Sequence, residues 1–483
     1  MQQPRDNRSL KNFDGINSAA AQNFLSRAAD FDNAFRGTYN QAELFGEGEI
    51  HLNLKKFLTA VILAATFAVT LTASVDAAPN GRMPASELYR LEQTPRGEIA
   101  RPLPQTFTSE NSGLNPGYSV TPMENTRPVA PDDPLPLVTA HAAIVIEAST
   151  GHVLYERNAD EQLPPASLTK IMTLITALES NQFDEIVTVQ QGAYNAQGAT
   201  LWLGVGEQIP LGELLYGMML TGANDATLAI AEHCGGTIAD FSARMTQRAI
   251  ELGATGTNFV NPQGQPDTEH FTTARDLAII TTHGFSLPHF EEIVSAKEAS
   301  FDWIHDDSKT FRNENRMLWL YRGANGVKIG YTDAAGKCLV VSAKQNGVQL
   351  IAVILDSLYA WNDALFLLDH SFGRVSSQTL IQTGQVVKTL PITSGRRKSM
   401  QVKTAGEIIM PVFDGGEKNA YNIVYDLPES LTAPVTSGET IGKIRVVLPD
   451  GREAASVDVV TTLDVEQKSF FRLLLNKIRG LFS

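Results

Sequence analysis

The sequence has little cysteine and a deficit of positive charge. Its 483 residues include only two cysteines, Cys234 and Cys338, which form no CxxC pair and no zinc-ligand pattern with histidine. Isolated cysteines with apolar neighbours favour buried free thiols over a single disulfide, which the sequence leaves open. The chain carries 39 Lys and Arg against 53 Asp and Glu, a formal charge of −14. Because phosphate binding needs clustered Lys and Arg, this balance argues against nucleic acid as a partner.

The sequence also lacks the motifs of two common hydrolase types. No G-x-S-x-G elbow accompanies its nine histidines, and no H-E-x-x-H segment is present. His270 lies in a loop before a helix, where histidines are usually solvated, so we expect no catalytic role for it. Trp202 stands alone beside strand-like sequence, and we favour core packing for it over lining of a cleft. We expect neither a metal nor a cofactor.

An apolar segment near the N-terminus resembles a secretion signal. Residues 57–78 form an apolar run behind Lys55 and Lys56, with Asp76 as its one charge, and end in small residues. We interpret 51–77 as a signal peptide, with a retained transmembrane helix as the alternative. We interpret residues 1–50 as disordered or as translated upstream of the true start, since 46-GEGE-49 is consistent with a ribosome-binding site before Leu52 or Leu54. Residues 78–136 are rich in proline and are predicted to form an extended linker.

The segment 164-PPASLTKIMT-173 places a hydroxyl and an amine close together. Residues 140–160 alternate like two strands joined by a turn, and apolar residues then recur at i, i+3 and i+4 from Ser167 onward. The predicted helix therefore carries Ser167 and Lys170 on one face. A serine hydroxyl becomes a good nucleophile when a base takes its proton, and a lysine with a lowered pKa can be that base. The pattern S-x-x-K alone is also common by chance, as a solvated lysine near a helix start.

Two further segments raise the significance of this pair. In 211–236 an apolar helix breaks at 221–224 before a second helix, so Asn224 can direct its amide into a neighbouring site. In 322–343 a glycine-rich turn leads into 328-KIGYT-332, predicted to be an edge strand. Lys328 there could supply a cation for a substrate carboxylate, and Gly330 would let a substrate backbone approach closely.

These segments together resemble a known family. The order S-x-x-K, an Asn motif and K-x-G is similar to the signature of penicillin-binding proteins and class A β-lactamases. The flanking sequences resemble the serine D-alanyl-D-alanine carboxypeptidases, the low-molecular-mass penicillin-binding proteins, from about residue 138 to the C-terminus. The segments that carry this resemblance are PASLTKIMT, NDA at 224–226, TARDLA at 273–278 and GYTDAAGKCLVVSA at 330–343.

The resemblance implies a fold and roles for individual residues. The expected fold is an α/β catalytic domain over 137–372, with an antiparallel sheet between helix layers. The resemblance makes Ser167 the acylated nucleophile and Lys170 its general base, and it implies that Asn224 contacts the substrate peptide and helps to organise Lys170. Lys328, Gly330, Tyr331 and Thr332 would bind substrate, with the backbone N–H groups of Ser167 and Tyr331 as the oxyanion hole.

Two positions depart from the family pattern. The middle motif usually has a serine where this chain has Gly222, and Thr221, Lys170 or water would then have to relay a proton to the leaving amine. The third motif usually has a threonine where this chain has Ile329. If each missing hydroxyl contributes about 1–3 kcal/mol to the transition state, turnover would fall roughly tenfold to ten-thousandfold. The retained residues nevertheless favour an active enzyme.

The C-terminal third shows no catalytic pattern. Residues 373–463 alternate like strands and contain the turn Asp450-Gly451, which predicts a small all-β domain. Residues 464–483 predict an amphipathic helix that lies in a membrane surface, with packing on the β domain as the alternative. Its apolar face would comprise Phe471, Leu474, Leu475, Ile478, Leu481 and Phe482, and its polar face Lys468, Arg472, Asn476 and Arg479.

The sequence thus predicts an exported, membrane-associated serine carboxypeptidase. Its substrate would be the peptidoglycan pentapeptide stem, from which it removes the terminal D-alanine, and β-lactam antibiotics would acylate Ser167. A β-lactamase and a non-catalytic peptidoglycan-binding protein are the alternatives, the latter because of Gly222 and Ile329. The expected location is the extracytoplasmic face of the cell membrane.

Overall fold

The computed structural model describes residues 106–123, 125–127, 133–135, 137–304, 309–414 and 421–468. The predicted signal peptide and most of the predicted terminal helix lie outside these residues. Within them, no helix combines the length and the apolar character needed to cross a membrane.

The described elements comprise short strands at the start, a mixed helix and strand region, and strands at the end. The helices are α1 (Thr169–Ser180), α2 (Gln191–Tyr194), α3 (Leu211–Thr221), α4 (Asn224–Gly235), α5 (Ile238–Glu251), α6 (Ala274–Gly284), α7 (Phe290–Ser295), α8 (Met317–Leu320) and α9 (Ala360–Phe372). The strands are β1 (Phe107–Thr108), β2 (Ser119–Val120), β3 (Ala142–Glu147), β4 (Val153–Arg157), β5 (Ile186–Thr188), β6 (Gln208–Pro210), β7 (Glu298–Ser300), β8 (Thr310–Arg312), β9 (Ala324–Thr332), β10 (Gly336–Gln345), β11 (Val348–Ser357), β12 (Val375–Ile381), β13 (Val386–Thr393), β14 (Ser399–Thr404), β15 (Ile408–Phe413), β16 (Asn422–Asp426), β17 (Leu431–Thr432), β18 (Thr440–Val447) and β19 (Glu453–Thr461).

A five-stranded antiparallel sheet organises the catalytic region. Its order is β4-β3-β11-β10-β9, so β9 is an edge strand, as the sequence predicts for the segment that carries Lys328. Alternate residues of β11 enter two different cores. Ile351 and Val353 pack with α1, α3 and α6 in the first core, whereas Leu350 and Ala352 pack with α9 in the second core. Successive side chains of a strand point to opposite faces, so helices cover both sides of this sheet. Both cysteines are free thiols, and Cys338 is buried in the first core.

Part of the proline-rich segment is folded onto this region. Residues 106–123 form the β1–β2 hairpin, whereas the proline content predicts an extended linker. Leu114 and Val120 are buried in the second core, and Gly113 N–H donates to the carboxylate of Asp369 on α9 over 2.8 Å. The burial of these apolar side chains thus outweighs the preference of a proline-rich segment for an extended conformation.

The last strands form a separate β layer with its own core. A six-stranded sheet has the order β16-β18-β19-β14-β13-β17, and β12 pairs with β15. Leu390, Val402, Ile444 and Val459 are buried in its core. These strands follow α9 in the chain. The structure confirms the predicted fold class, an antiparallel sheet between helices followed by an all-β domain.

Asp363 on α9 connects distant parts of the catalytic region through buried hydrogen bonds. Its buried carboxylate accepts hydrogen bonds from Thr139 N–H and Oγ1, at 2.8 and 2.9 Å, and from Ser357 Oγ at 2.6 Å. Asp363→Ala leaves these three donors in the core without an acceptor, so we expect the free energy of unfolding to fall by about 2–4 kcal/mol. Urea unfolding followed by circular dichroism measures the loss. Asp363→Asn retains one acceptor and should cost less; equal urea midpoints for the parent and both variants would contradict this role.

Candidate active site

Ser167 lies in a short turn that precedes α1. Residues Ala166–Leu168 form one turn of 3₁₀ helix, and α1 continues from Thr169. Ala166 has a left-handed backbone, with φ of 48°, which is uncommon for a residue with a Cβ. Leu168 and Ile171 are fully buried while Ser167 is half-buried. The local backbone therefore fixes the start of the helix and leaves the Ser167 hydroxyl accessible on one side.

Lys170 is fully buried and directed at Ser167. Its Nζ lies 3.1 Å from Ser167 Oγ, 2.8 Å from Asn224 Oδ1 and 2.8 Å from the carbonyl oxygen of Gln263. A neutral amine has two N–H donors and one lone pair. Because Asn224 Oδ1 and the Gln263 carbonyl can only accept, they take both donors, and the lone pair is left to accept the proton of Ser167.

The surroundings of Lys170 favour this neutral form. Burial lowers the pKa of Lys170 well below its usual value, and the nearby cation of Lys328 lowers it further. The carboxylate of Glu314 has a smaller opposite effect on that pKa. Burial also lowers the pKa of Lys328, to about 8, and Glu314 again opposes the shift. The site therefore favours the neutral form of Lys170, whereas Lys328, with a pKa of about 8, stays largely cationic at neutral pH.

The Gln263 carbonyl comes from the loop that precedes His270, which no sequence pattern assigns to the site. Gly264 has φ of 86°, and a Cβ at this position would lie 1.9 Å from the carbonyl oxygen of Ala166. Asn261 Oδ1 closes the loop by accepting from Gly264 N–H at 2.8 Å. The signal available in the sequence is therefore the Asn-Pro-Gln-Gly turn, not the side chain of Gln263.

Asn224 links Lys170 to a second loop. While its Oδ1 accepts from Lys170, its Nδ2 donates to the Gln197 carbonyl at 2.6 Å, and its N–H donates to the Ala199 carbonyl at 2.7 Å. These two backbone contacts fix the orientation of the amide. Asn224 begins α4 directly after the break that the sequence predicts.

Asp225 holds the same loop and exposes Trp202. The Asp225 carboxylate accepts from Leu201 N–H at 2.8 Å and from Leu203 N–H at 3.2 Å, and both leucine side chains are buried. Trp202 between them has φ of 61° and is 82% exposed. The expectation of core packing for Trp202 is therefore wrong, because its two neighbours fill the inward positions.

The residues of β9 divide between the two faces of the sheet. Lys328 and Gly330 are buried on the side of Ser167, and a Cβ at Gly330 would lie 2.9 Å from Ser167 N. The close neighbour of Gly330 is therefore the backbone of the Ser167 turn. Ile329 packs against the second core on the other face. Tyr331 is 62% exposed, and Thr332 Oγ1 accepts from Ala335 N–H within the turn to β10.

Gly222 leaves an open position beside Lys328. It ends α3 with φ of 75°, and a Cβ there would lie 3.6 Å from Lys328 Nζ. The hydroxyl of Thr221 donates to the Gly217 carbonyl of its own helix at 2.8 Å. The Thr221 proton is thus committed to the helix, which makes Thr221 a poor replacement for the hydroxyl missing at position 222.

His270 is buried, which contradicts its expected solvation. Its Nδ1 accepts from Val260 N–H at 3.1 Å, so its Nε2 carries the proton and donates to Thr169 Oγ1 at 2.8 Å. Thr169 Oγ1 in turn donates to the Ala166 carbonyl. The loop folds back onto the start of α1 because this chain of bonds satisfies the imidazole inside the protein.

The family comparisons match both parts of the chain. Residues 128–358 match the family model for D-alanyl-D-alanine carboxypeptidase. Residues 376–467 match the model for the C-terminal domain of penicillin-binding protein 5.

Individual proteins give a consistent picture. The chain is 30% identical to D-alanyl-D-alanine carboxypeptidase DacF of Bacillus subtilis over 346 residues, 69% of this chain and 88% of that protein. It is 31% identical to DacC of Escherichia coli, another D-alanyl-D-alanine carboxypeptidase, over 70% of this chain and 86% of that protein. A peptidoglycan synthesis regulatory factor (PBP3) from Streptococcus pneumoniae shares the fold, with a TM-score of 0.52 and 23% identity, over 68% of this chain and 100% of that structure.

The buried state of His270 gives a measurable titration. Burial lowers the pKa of His270 to about 4, so its imidazole should stay neutral from pH 8 down to about 5. NMR of the ring protons, assigned by comparison with His270→Gln, follows this titration. In the unfolded chain the histidine pKa is near 6.5, so between that pH and 4 the unfolded chain binds a proton that the folded protein does not. We therefore expect the contribution of His270 to the free energy of unfolding to be complete above pH 6.5 and to decline as pH falls toward 4. A titration midpoint near 6.5 in the folded protein would contradict burial.

Proposed function

The chain belongs to the D-alanyl-D-alanine carboxypeptidase family, and we propose that it removes the terminal D-alanine of peptidoglycan pentapeptide stems through an acyl-enzyme on Ser167. The observation that carries this proposal is the arrangement around Lys170. Two acceptors take its N–H groups, and its lone pair meets the Ser167 hydroxyl at 3.1 Å. A lysine held in this way is suited to act as a general base.

Acylation begins with proton transfer from Ser167 to Lys170. Ser167 Oγ attacks the carbonyl carbon of the penultimate D-alanine, and Lys170 becomes an ammonium ion. The backbone N–H groups of Ser167 and Tyr331 are proposed to stabilise the oxyanion that forms. The peptide C–N bond then breaks, and its nitrogen needs a proton to leave as the amine of D-alanine.

We assign that proton to Lys170 itself. Position 222 has no hydroxyl, and the Thr221 hydroxyl donates to its own helix. The Lys170 ammonium therefore returns its proton to the leaving nitrogen and becomes neutral again. A water molecule then attacks the acyl-enzyme with Lys170 as base, which releases the shortened peptide and restores the Ser167 hydroxyl.

Lys328 is proposed to orient the substrate, with Gly330, Tyr331 and Thr332 of the same strand beside it. Lys328 is only 2% exposed and lies on the edge strand β9. Its cation is a suitable partner for an anionic end of the peptide. Ile329 provides no hydroxyl for this carboxylate, so more of the binding would depend on Lys328. Asn224 orients Lys170 through its Oδ1 and is proposed to contact the substrate peptide.

The cellular setting is part of the same proposal. A peptidoglycan substrate requires action at the extracytoplasmic face of the cell membrane. Export would use the segment 51–77, and the segment 464–483 would bind the membrane surface as an amphipathic helix. We further propose that the domain over 137–372 catalyses the reaction and that 373–463 supports it. The β domain and the resemblance over both domains favour this function over that of a β-lactamase.

Release of D-alanine tests the proposed function directly. We expect the chain from residue 79 to 463 to release D-alanine from a peptide ending in Lys-D-Ala-D-Ala, measured by an amino-acid oxidase assay. Ser167→Ala should lower the rate by at least about a thousandfold, because the nucleophile is lost. Benzylpenicillin should add its mass to the parent and not to Ser167→Ala. A folded parent that binds peptidoglycan without releasing D-alanine would instead favour a non-catalytic role.

The two lysines predict a bell-shaped pH dependence. Lys170 acts as a base only when neutral, so the rate should rise with pH through its lowered pKa. Lys328 binds a carboxylate only when protonated, so kcat/KM should fall as pH passes about 8. The maximum should lie between the two values and well below pH 10. The measurement is kcat/KM for the D-Ala-D-Ala peptide from pH 5 to 10; a rate that keeps rising above pH 9 would contradict the assignment of Lys328.

A further inference from the structure

An acidic side chain accompanies the two lysines of the site. Glu314 follows β8 and is solvent-exposed, whereas its neighbours Asn313 and Asn315 are 5% and 1% exposed. Glu314 N–H donates to the carbonyl of Leu220 near the end of α3 at 3.0 Å, and Asn313 Oδ1 accepts from Asn315 N–H at 2.8 Å. These bonds hold the backbone of Glu314 in place, so its carboxylate starts from a fixed point beside α3.

The carboxylate reaches the open position left by Gly222. A Cβ at Gly222 would lie 3.8 Å from Glu314 Oε2 and 3.6 Å from Lys328 Nζ. The two charged atoms therefore border the same small space. A side chain at position 222 would occupy that space, so the absence of one at Gly222 leaves the field of Glu314 unobstructed toward Lys328.

The charge balance of the site follows from three groups. The groups that act electrostatically on Lys170 are Lys328 and Glu314, and Glu314 also acts on Lys328. The carboxylate of Glu314 therefore offsets part of the positive charge that Lys328 offers to a substrate. A free carboxylate at the end of the substrate is attracted by Lys328 and repelled by Glu314.

We propose that Glu314 is a specificity-determining residue that weakens the preference of this site for a free terminal carboxylate. The substrate class that it favours has a leaving residue without a free carboxylate, such as an amidated terminus or an internal amide bond. The inference rests on the proposed function, because it assigns Lys328 to the leaving side of the scissile bond. Glu314 acts here through charge alone and takes no part in proton transfer.

The test compares two peptides that differ in one terminal group. One ends in Lys-D-Ala-D-Ala with a free carboxylate and the other in the same sequence with a terminal carboxamide. Near pH 7 in low salt, Glu314→Gln should raise the ratio of their kcat/KM values, carboxylate over carboxamide, on the order of tenfold, mainly through KM. The ratio cancels any change in the basicity of Lys170, since both peptides use the same base.

Matched variants isolate the charge at this position. Glu314→Asp keeps the carboxylate and should keep the ratio of the parent. Glu429→Gln removes an exposed carboxylate in the β domain and should leave the ratio unchanged. Added salt should reduce the effect of Glu314→Gln, because an exposed charge is screened. Glu314→Gln should also move the pH maximum of kcat/KM to lower pH, since it removes the group that raises the pKa of both lysines.

The outcomes separate this inference from the proposed function. An unchanged ratio in Glu314→Gln, with the parent active, overturns the role of Glu314 and leaves the proposed function intact. If the parent cleaves neither peptide, the proposed function fails. Glu314 is then tested by the rates at which benzylpenicillin and its methyl ester acylate Ser167, measured by intact mass. A higher ratio of acid to ester in Glu314→Gln supports the role, and an equal ratio overturns it.

Discussion

The active site depends on the removal of Lys170 from water. A lysine amine in water is protonated at neutral pH and cannot accept the proton of a serine. Here the amine is fully buried, and its two N–H groups meet the Asn224 amide and the Gln263 carbonyl. Burial and hydrogen-bond geometry therefore act together: burial favours the neutral amine, and the two acceptors orient its lone pair toward Ser167. The packing around the Ser167 turn excludes water from this amine and holds its hydrogen-bond geometry.

Close backbone packing around the Ser167 turn provides that fixation. Gly264 brings one loop against the Ala166 carbonyl, and Gly330 brings the edge strand against Ser167 N. At both positions a Cβ would collide with backbone, which cannot move aside as a flexible side chain can. His270 adds a hydrogen bond to Thr169 at the start of α1. The loop before α6 and the edge strand β9 thus meet at one turn, so the position of Ser167 is set by residues far from it in sequence.

The sequence predicts the elements of this site better than their contacts. Helical periodicity finds α1 and places Ser167 three residues before Lys170, and the break after α3 finds Asn224. Alternation finds β3 and β4 of the first sheet and the β-rich character of 373–463, whereas it predicts no strand at β11. No local pattern identifies the Gln263 carbonyl, because any residue provides a carbonyl and its position depends on how the loop folds. The burial of His270 and the exposure of Trp202 follow from neighbours distant in sequence, and the packing of 106–123 on the second core has the same origin.

The two departures from the family pattern, Gly222 and Ile329, lie beside Lys328, as does Glu314. Gly222 opens a position beside Lys328, Glu314 borders that position with a negative charge, and Ile329 directs its side chain to the opposite face of β9. The effect proposed for Gly222 and Glu314 is on how a carboxylate is held near Lys328, and Ile329 provides no hydroxyl for that carboxylate. The proposed nucleophile would therefore be separate from the groups proposed to recognise the end of the peptide. Changes at positions 222, 314 and 329 can alter which termini are accepted while the nucleophile and its base stay intact.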